Sequence, residues 1–263
     1  MTVQRLRRLF LGAVLCAAVG SVALFGQDST PAVQFKPGLG VEYFSRTLAW
    51  DNDLYTSKLR TTLAYVRGEI GVSNEISLGL LAGYGLSDFN GLVFRGLPFS
   101  VDYEAGSIGS FLVGADLDAA FIPVGDFRIG ATGQFLYVFN HAKDFDLPSL
   151  NQTGTVNAKA SWHRIIAGPL VRYLGYESFT PFLAVTFNRL TGTFTMAETV
   201  QDLSGTEDKQ VQGKGSVGIS IGTTFEPSAL FHLKAELTAL PYSKTGGGLD
   251  VDYGALVRAV ILF

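Results

Sequence analysis

The sequence predicts an all-β chain, a transmembrane antiparallel β-barrel of about ten strands, with roughly eight to twelve allowed by the pattern. Three observations predict it. Apolar residues alternate with small, polar or charged ones at period two through most of the chain. The connections between these runs alternate between tight and long. Composition agrees: of 263 residues 31 are glycine, 47% are hydrophobic and only 16% are charged, where a soluble domain carries about 25% charged residues.

The same numbers exclude other classes. An aromatic content of 12% with so little charge is incompatible with an intrinsically disordered chain. One cysteine cannot build a disulfide scaffold or a cysteine-rich metal site. A net charge of −3 gives no basic footprint, so nucleic acid is not an expected partner. Beyond the first 27 residues no run reaches 18 consecutive apolar residues, which excludes transmembrane helices there.

Residues 1–27 read as a cleaved signal peptide, leaving 28–263 as one barrel domain. Arg5, Arg7 and Arg8 form the positive n-region, Leu9 to Val19 the apolar h-region, and Ser21-Val22-Ala23 the small residues of a cleavage site. Cleavage is expected between about Ala23 and Gln27. Arg7-Arg8 resembles a twin-arginine signal, but that route carries folded cargo and does not suit a membrane barrel. Cys16 follows Leu15, where a lipoprotein signal needs a small residue. Cleavage removes the only cysteine and three arginines, leaving 17 basic against 23 acidic residues, a net −6.

The strands follow in order. The first two are expected at about 36–49 and 55–71, joined by the short link from Trp50 to Leu54. After the tight link Val72-Ser73-Asn74-Glu75 comes a strand over 76–88, in which Ile76, Leu78, Leu80, Ala82, Tyr84 and Leu86 share one face. A long link, 89–103, leads to a strand at 104–121. The turn Ile122 to Asp126 leads to 127–141, where Phe127, Ile129, Ala131, Gly133, Phe135, Tyr137 and Phe139 alternate with polar or small partners. Long link 142–156, strand 157–174, turn Gly175 to Ser178, strand 179–191 and long link 192–209 come next. A strand over 210–225 carries Val217, Ile219, Ile221, Thr223 and Phe225 on one face. The turn Glu226 to Ala229, a strand over 230–241, the link 242–249 and a strand over 250–263 complete the chain. Short turns on one side and long loops on the other place the turns in the periplasm.

The last strand is the most specific. Tyr253, Ala255, Val257, Ala259, Ile261 and Phe263 alternate to a C-terminal phenylalanine. Here the chain resembles bacterial outer-membrane β-barrel proteins, whose final strand ends in an aromatic after alternating apolar residues. The resemblance implies an outer-membrane location in a Gram-negative-type bacterium, outer-membrane lipid as surroundings, and barrel assembly machinery as the partner that reads Tyr253, Val257, Ile261 and Phe263. It extends loosely to the whole chain and to no particular family. Alanine at two of the outward places departs from the pattern.

Carrying the phase of each strand inward gives a lumen network of Glu42, Arg46, Arg67, Glu69, Asp116, Asp118, Arg128, Arg164, Arg172, Lys234, Glu236 and Arg258, with Gln134 and Asn188 beside it. Buried charges must pair or stay wet. One reading is an interlocked plug; the other is a charge-lined pore, for which inward Gly79, Gly83, Gly85, Gly218 and Gly222 leave space. Wide channels need about 16 strands, which favours the plug. The link Phe89 to Phe99 is too apolar to float in water and is expected to pack over the mouth, or to hold two short extra strands.

No catalytic residues, cofactor or metal ligands are expected. Asp51-Asn52-Asp53 fits half of an omptin-type pattern, but His141, His163 and His232 lack the Asp two residues before them. They also lack the hydroxyl two residues after them that a His-x-Ser lipid hydrolase uses. The acidic loops show no dedicated calcium spacing. The expectation is a small non-enzymatic barrel, structural or surface-binding. A narrow cation-leaning porin-like channel is the alternative, and a rim-loop hydrolase would require His141 to meet Asp144, Asp51 or Asp53.

Overall fold

The computed structural model describes residues 34–51, 54–71, 75–98, 101–102, 106–146, 154–228, 231–244 and 247–261; the expected signal segment 1–27 lies outside them. The described strands are β1 (Gln34–Trp50), β2 (Tyr55–Gly71), β3 (Ile76–Asn90), β4 (Val93–Phe94), β5 (Val101–Asp102), β6 (Ile108–Val124) and β7 (Phe127–Asp146). There follow β8 (Gly154–Tyr173), β9 (Phe179–Val200), β10 (Leu203–Gly213), β11 (Val217–Ser228), β12 (Phe231–Ser243) and β13 (Leu249–Ile261). All pairings are antiparallel.

β1 pairs with β2 on one side, Gly38 opposite Arg67, and with β13 on the other, Gly38 opposite Val260. The ring therefore closes through β1, β2, β3, β6, β7, β8, β9, β11, β12 and β13. Closure gives the ring no free edge, the condition for a sheet that faces lipid.

The alternation sorts side chains as a lipid-facing wall requires. Leu39, Val41, Val66, Leu80, Val113, Leu183, Val185, Ile219, Ile221, Leu237 and Val257 lie exposed on the outer face. Outward aromatics bracket them: Phe121, Phe127, Phe179 and Phe225 toward the short turns, and Tyr84, Phe111, Phe139 and Tyr253 toward the long loops. On β7 the ten steps from Phe127 to Tyr137 span about 34 Å of strand, or about 26 Å of height at a tilt of ~40°, the height of a membrane-crossing apolar band. The fold is a transmembrane antiparallel β-barrel.

Above that band the wall is rebuilt. β9 turns at Gln201 (φ 53°) into β10, which pairs back along it from Leu203–Val200 to Gln212–Thr191. β1 pairs with β13 up to Ser45–Tyr253 and then changes partner, Leu48 pairing with Gly213 and Ala49 with Gln212 of β10. The Thr47 N–H between the two partners donates to Asp252 Oδ2 at 2.7 Å. Lys58, on the outward phase of β2, donates to Asp252 Oδ1 at 2.8 Å. The tips of β12 and β13 thus lean on the outside of β1 and β2, which buries Ser45 and Thr47.

The expected link 192–209 is therefore paired strand. The strand expected over 210–225 is two, broken where Gly215 takes φ 73°. The link 89–103 holds the hairpin β4–β5 in a sheet of its own, so it adds no stave to the barrel.

Candidate functional site

The bore is the candidate site, and it has two levels. Around the ring of ten, β1 and β8 stand diametrically opposite, as do β6 and β12. Side chains from these opposite walls meet.

The lower level, toward the short turns, is charged. Glu42 on β1 accepts from Arg164 on β8 at 2.5 Å, and Arg164 also donates to Gln134 at 2.6 Å. Arg67 is ion-paired with Asp116 at 2.5 Å and with Glu69, whose other oxygen lies 3.9 Å from Lys36. Arg258 takes the second Asp116 oxygen at 2.9 Å. Asp118 pairs with Arg172 and, across the bore at 4.0 Å, with Lys234, which lies 3.2 Å from Glu236 and 4.6 Å over the Phe182 ring. Arg128 makes no ion pair among the described residues. Arg46 lies deeper, and its one hydrogen bond among the described residues is Nη2 to the Gly215 carbonyl at 2.8 Å.

The inward glycines are seats for these groups. A Cβ on Gly79 would lie against Asp116 Oδ1 and 2.5 Å from Arg67 Nε. One on Gly222 would lie 2.5 Å from the Phe182 ring, and one on Gly85 2.7 Å from Leu63. Their space is taken by neighbouring side chains, so these positions leave no open channel along the wall.

The upper level is apolar. Leu48, Leu63, Leu112, Leu136, Trp162, Leu190, Phe194 and Met196 point inward and are buried. Phe44 on β1 meets Trp162 on β8 edge to face, with centroids 5.5 Å apart. The Arg164 guanidinium lies 4.5 Å from the Phe44 ring centre on the charged side of this layer. Phe194 packs on Phe89 at 5.1 Å and on Phe94 at 5.6 Å. The apolar link enters the mouth: Phe89, Leu92, Phe94 and Leu97 are buried. Gly96 N, by contrast, donates outward to Glu207 at 2.7 Å.

Sequence reasoning carried the lipid-level phase upward and missed this plug. The signal was present. Along 154–162 the alternation inverts, with Val156, Ala158, Ala160 and Trp162 inside and Thr155, Asn157, Lys159 and Ser161 facing out. Above lipid the outside is water, so the apolar face turns inward as in any soluble sheet.

At the loop rim Lys209 donates to Asp51 at 2.9 Å, pairs with Glu207 at 2.8 Å and covers the Trp50 ring at 4.8 Å. Burial depresses its pKa, but the two carboxylates outweigh burial and hold it above the ordinary lysine value.

The histidines are spread out. His141 is exposed and has no hydrogen bond among the described residues, while Asp144 accepts from Asn157 at 2.5 Å. Asp53 lies outside the described residues. His232 is 3.7 Å from Glu226 near the short turns. His163 Nε2 lies 2.8 Å from Thr191 Oγ1, a cross-strand pair that spacing along one strand cannot reveal. No group of three metal-ligating side chains occurs among the described residues. Of the C-terminal set, Tyr253 faces out beside Tyr43 at 6.1 Å and Val257 faces out. The Ile261 side chain and Phe263 lie outside the described residues.

No protein-family model and no curated protein matches the chain. Among solved structures, the translocator domain of autotransporter NalP from Neisseria meningitidis is similar at 10% identity and TM-score 0.45, covering 98% of this chain and 96% of that one. The outer membrane protease OmpT from Escherichia coli is similar at 10% identity and TM-score 0.45, covering 90% and 99%. Ail, the attachment invasion locus protein of Yersinia pestis, is similar at 13% identity and TM-score 0.34, covering 88% and 99%.

Proposed function

We propose that this is an exported protein of a bacterial outer membrane whose barrel does not conduct. It serves as a structural or surface-binding protein rather than as an enzyme or a porin. The observation that carries this reading is the double crossing of the bore. Ion pairs join opposite walls at the level of Glu42–Arg164, and aromatic packing joins them again at Phe44–Trp162. A hydrated ion would have to break a buried ion pair, at about 3–5 kcal/mol, and then cross a close-packed apolar layer. A narrow channel would require that layer to part.

The export signal, the outer-membrane location and reading of the last strand by assembly machinery belong to this reading. The alternating C-terminal strand and the closed apolar wall support them. The surface role rests on the part of β7 to β10 that rises beyond the aromatic band and turns polar side chains outward.

Refolding residues 28–263 into lipid vesicles tests the reading. A heat-modifiable folded band together with vesicles that fail to swell in permeant sugars or salts is expected. Swelling at rates that depend on solute size would establish a pore and overturn the closed-barrel reading.

A further inference from the structure

Within the charged level, up to Phe44 and Leu240, the bore holds a cavity of about 70 Å³ that opens toward the short turns. Its outer end is formed by Asp118 and Lys234, which remain partly exposed toward the short turns, and its deep end by Arg46, Arg164, Asn188 and Leu240. The deep end is polar and unsatisfied. Arg46 is 1% exposed, yet its Nε and Nη1 make no hydrogen bond among the described residues. The same holds for Arg164 Nε, Glu42 Oε2, Thr186 Oγ1 and Asn188 Oδ1, all on residues lining the cavity.

Charge points the same way. Every acid of the lumen network has a basic partner: Glu42, Glu69, Asp116, Asp118 and Glu236 are all ion-paired. Arg46 is the buried cation left over, held by a single carbonyl. A buried guanidinium with free N–H groups is costly unless an anion meets it, and its planar fork matches an oxyanion.

We propose that the deep end of this cavity is a binding site for a small oxyanion that carries its own proton, of the phosphate type, entering from the short-turn side. Arg46 and Arg164 donate to the ligand's charged oxygens. Thr186 Oγ1 offers a further hydroxyl. The Glu42 carboxylate, ion-paired with Arg164, and the Asn188 carbonyl oxygen each present a free acceptor, so they accept from the ligand's O–H. That division selects hydrogen phosphate over sulfate, which has the same size and charge but no proton to donate. The site requires only the cavity, so it stands or falls separately from the conductance of the barrel.

Trp162 reports on the site, because it packs on Phe44, which in turn carries the Arg164 guanidinium. The refolded barrel bearing Trp50→Phe, which leaves Trp162 as its one tryptophan, is titrated with inorganic phosphate and with sulfate at fixed ionic strength and neutral pH. A saturable change in Trp162 fluorescence, at least tenfold tighter for phosphate than for sulfate and at least tenfold weakened by Arg46→Gln, is expected. Should Arg46→Gln fail to give a heat-modifiable folded band, Asn188→Leu, which fills the cavity without removing a charge, is expected to abolish the response. A linear response, equal responses to the two anions, or a response unchanged in the folded variants would overturn the proposal.

Discussion

Phe44 and Trp162 come from opposite walls of the barrel and meet edge to face, centroids 5.5 Å apart at an interplanar angle of 90°, at the height where the lumen changes from charged to apolar. Below them the chain must satisfy charges; above them it packs like a soluble core. Shortening Phe44 to alanine removes the lower face of the plug, at a cost of about 3–5 kcal/mol. Reversible urea unfolding in vesicles measures it, and a loss under about 1 kcal/mol would mean that the aromatic layer is not closely packed.

The ion pairs predict an asymmetry. Glu42→Gln leaves the Arg164 guanidinium buried against a neutral partner and is expected to cost about 3–5 kcal/mol. The double change Glu42→Leu with Arg164→Met removes both charges and is expected to cost far less, because an apolar pair of similar volume often equals a buried ion pair. The same unfolding assay on Glu42→Leu, Arg164→Met and their combination closes the cycle. Additive losses would contradict the pairing.

Two inward or wall glycines separate seat from spacer. Gly79→Ala drives a methyl into the Arg67–Asp116 pair and is expected to cost about 1–3 kcal/mol. At Gly133 the nearest atom to a new methyl would be 3.7 Å away. Gly133→Ala is expected to be neutral or to stabilise by up to about 1 kcal/mol through the unfolded chain. Midpoints of urea unfolding decide, and equal effects would remove the seating argument.

The rim contact of Lys209 is pH-dependent at the alkaline end. Its folded pKa lies above the ordinary lysine value because Asp51 and Glu207 outweigh burial. Its stabilisation is therefore complete below about pH 10.5 and is lost as pH rises through the folded value. Since the ammonium covers Trp50, Trp50 emission in a Trp162→Phe background is expected to hold steady to pH 10 and change above about 10.5. A transition near neutral pH would assign the signal to another group.

Much of this was legible in the sequence. Period-two runs such as Phe127 to Phe139 and Val217 to Phe225 specify strands and their lipid-facing side, because only one face of such a run can meet hydrocarbon. The short links specify which rim holds the turns. The ion pairs were legible as a set of inward charges, but not as partners, since Glu42–Arg164 joins residues 122 positions apart through closure of the ring. The plug was written in the inverted alternation of 154–162, which changes meaning only when the height of the membrane is known. The partner change of β1 from β13 to β10 is set by tertiary pairing, and nothing local in 45–49 announces it.

In the closed-barrel reading side chains shut the bore twice, at Glu42–Arg164 and at Phe44–Trp162. Single-channel recording of residues 28–263 in a planar lipid bilayer tests it most directly, with the folded state verified by heat-modifiability. A quiet bilayer is expected for the wild-type chain and, because the Glu42–Arg164 pair still crosses the bore, for the Phe44→Ala, Trp162→Ala double variant as well. Regular steps from the wild-type protein would contradict the account.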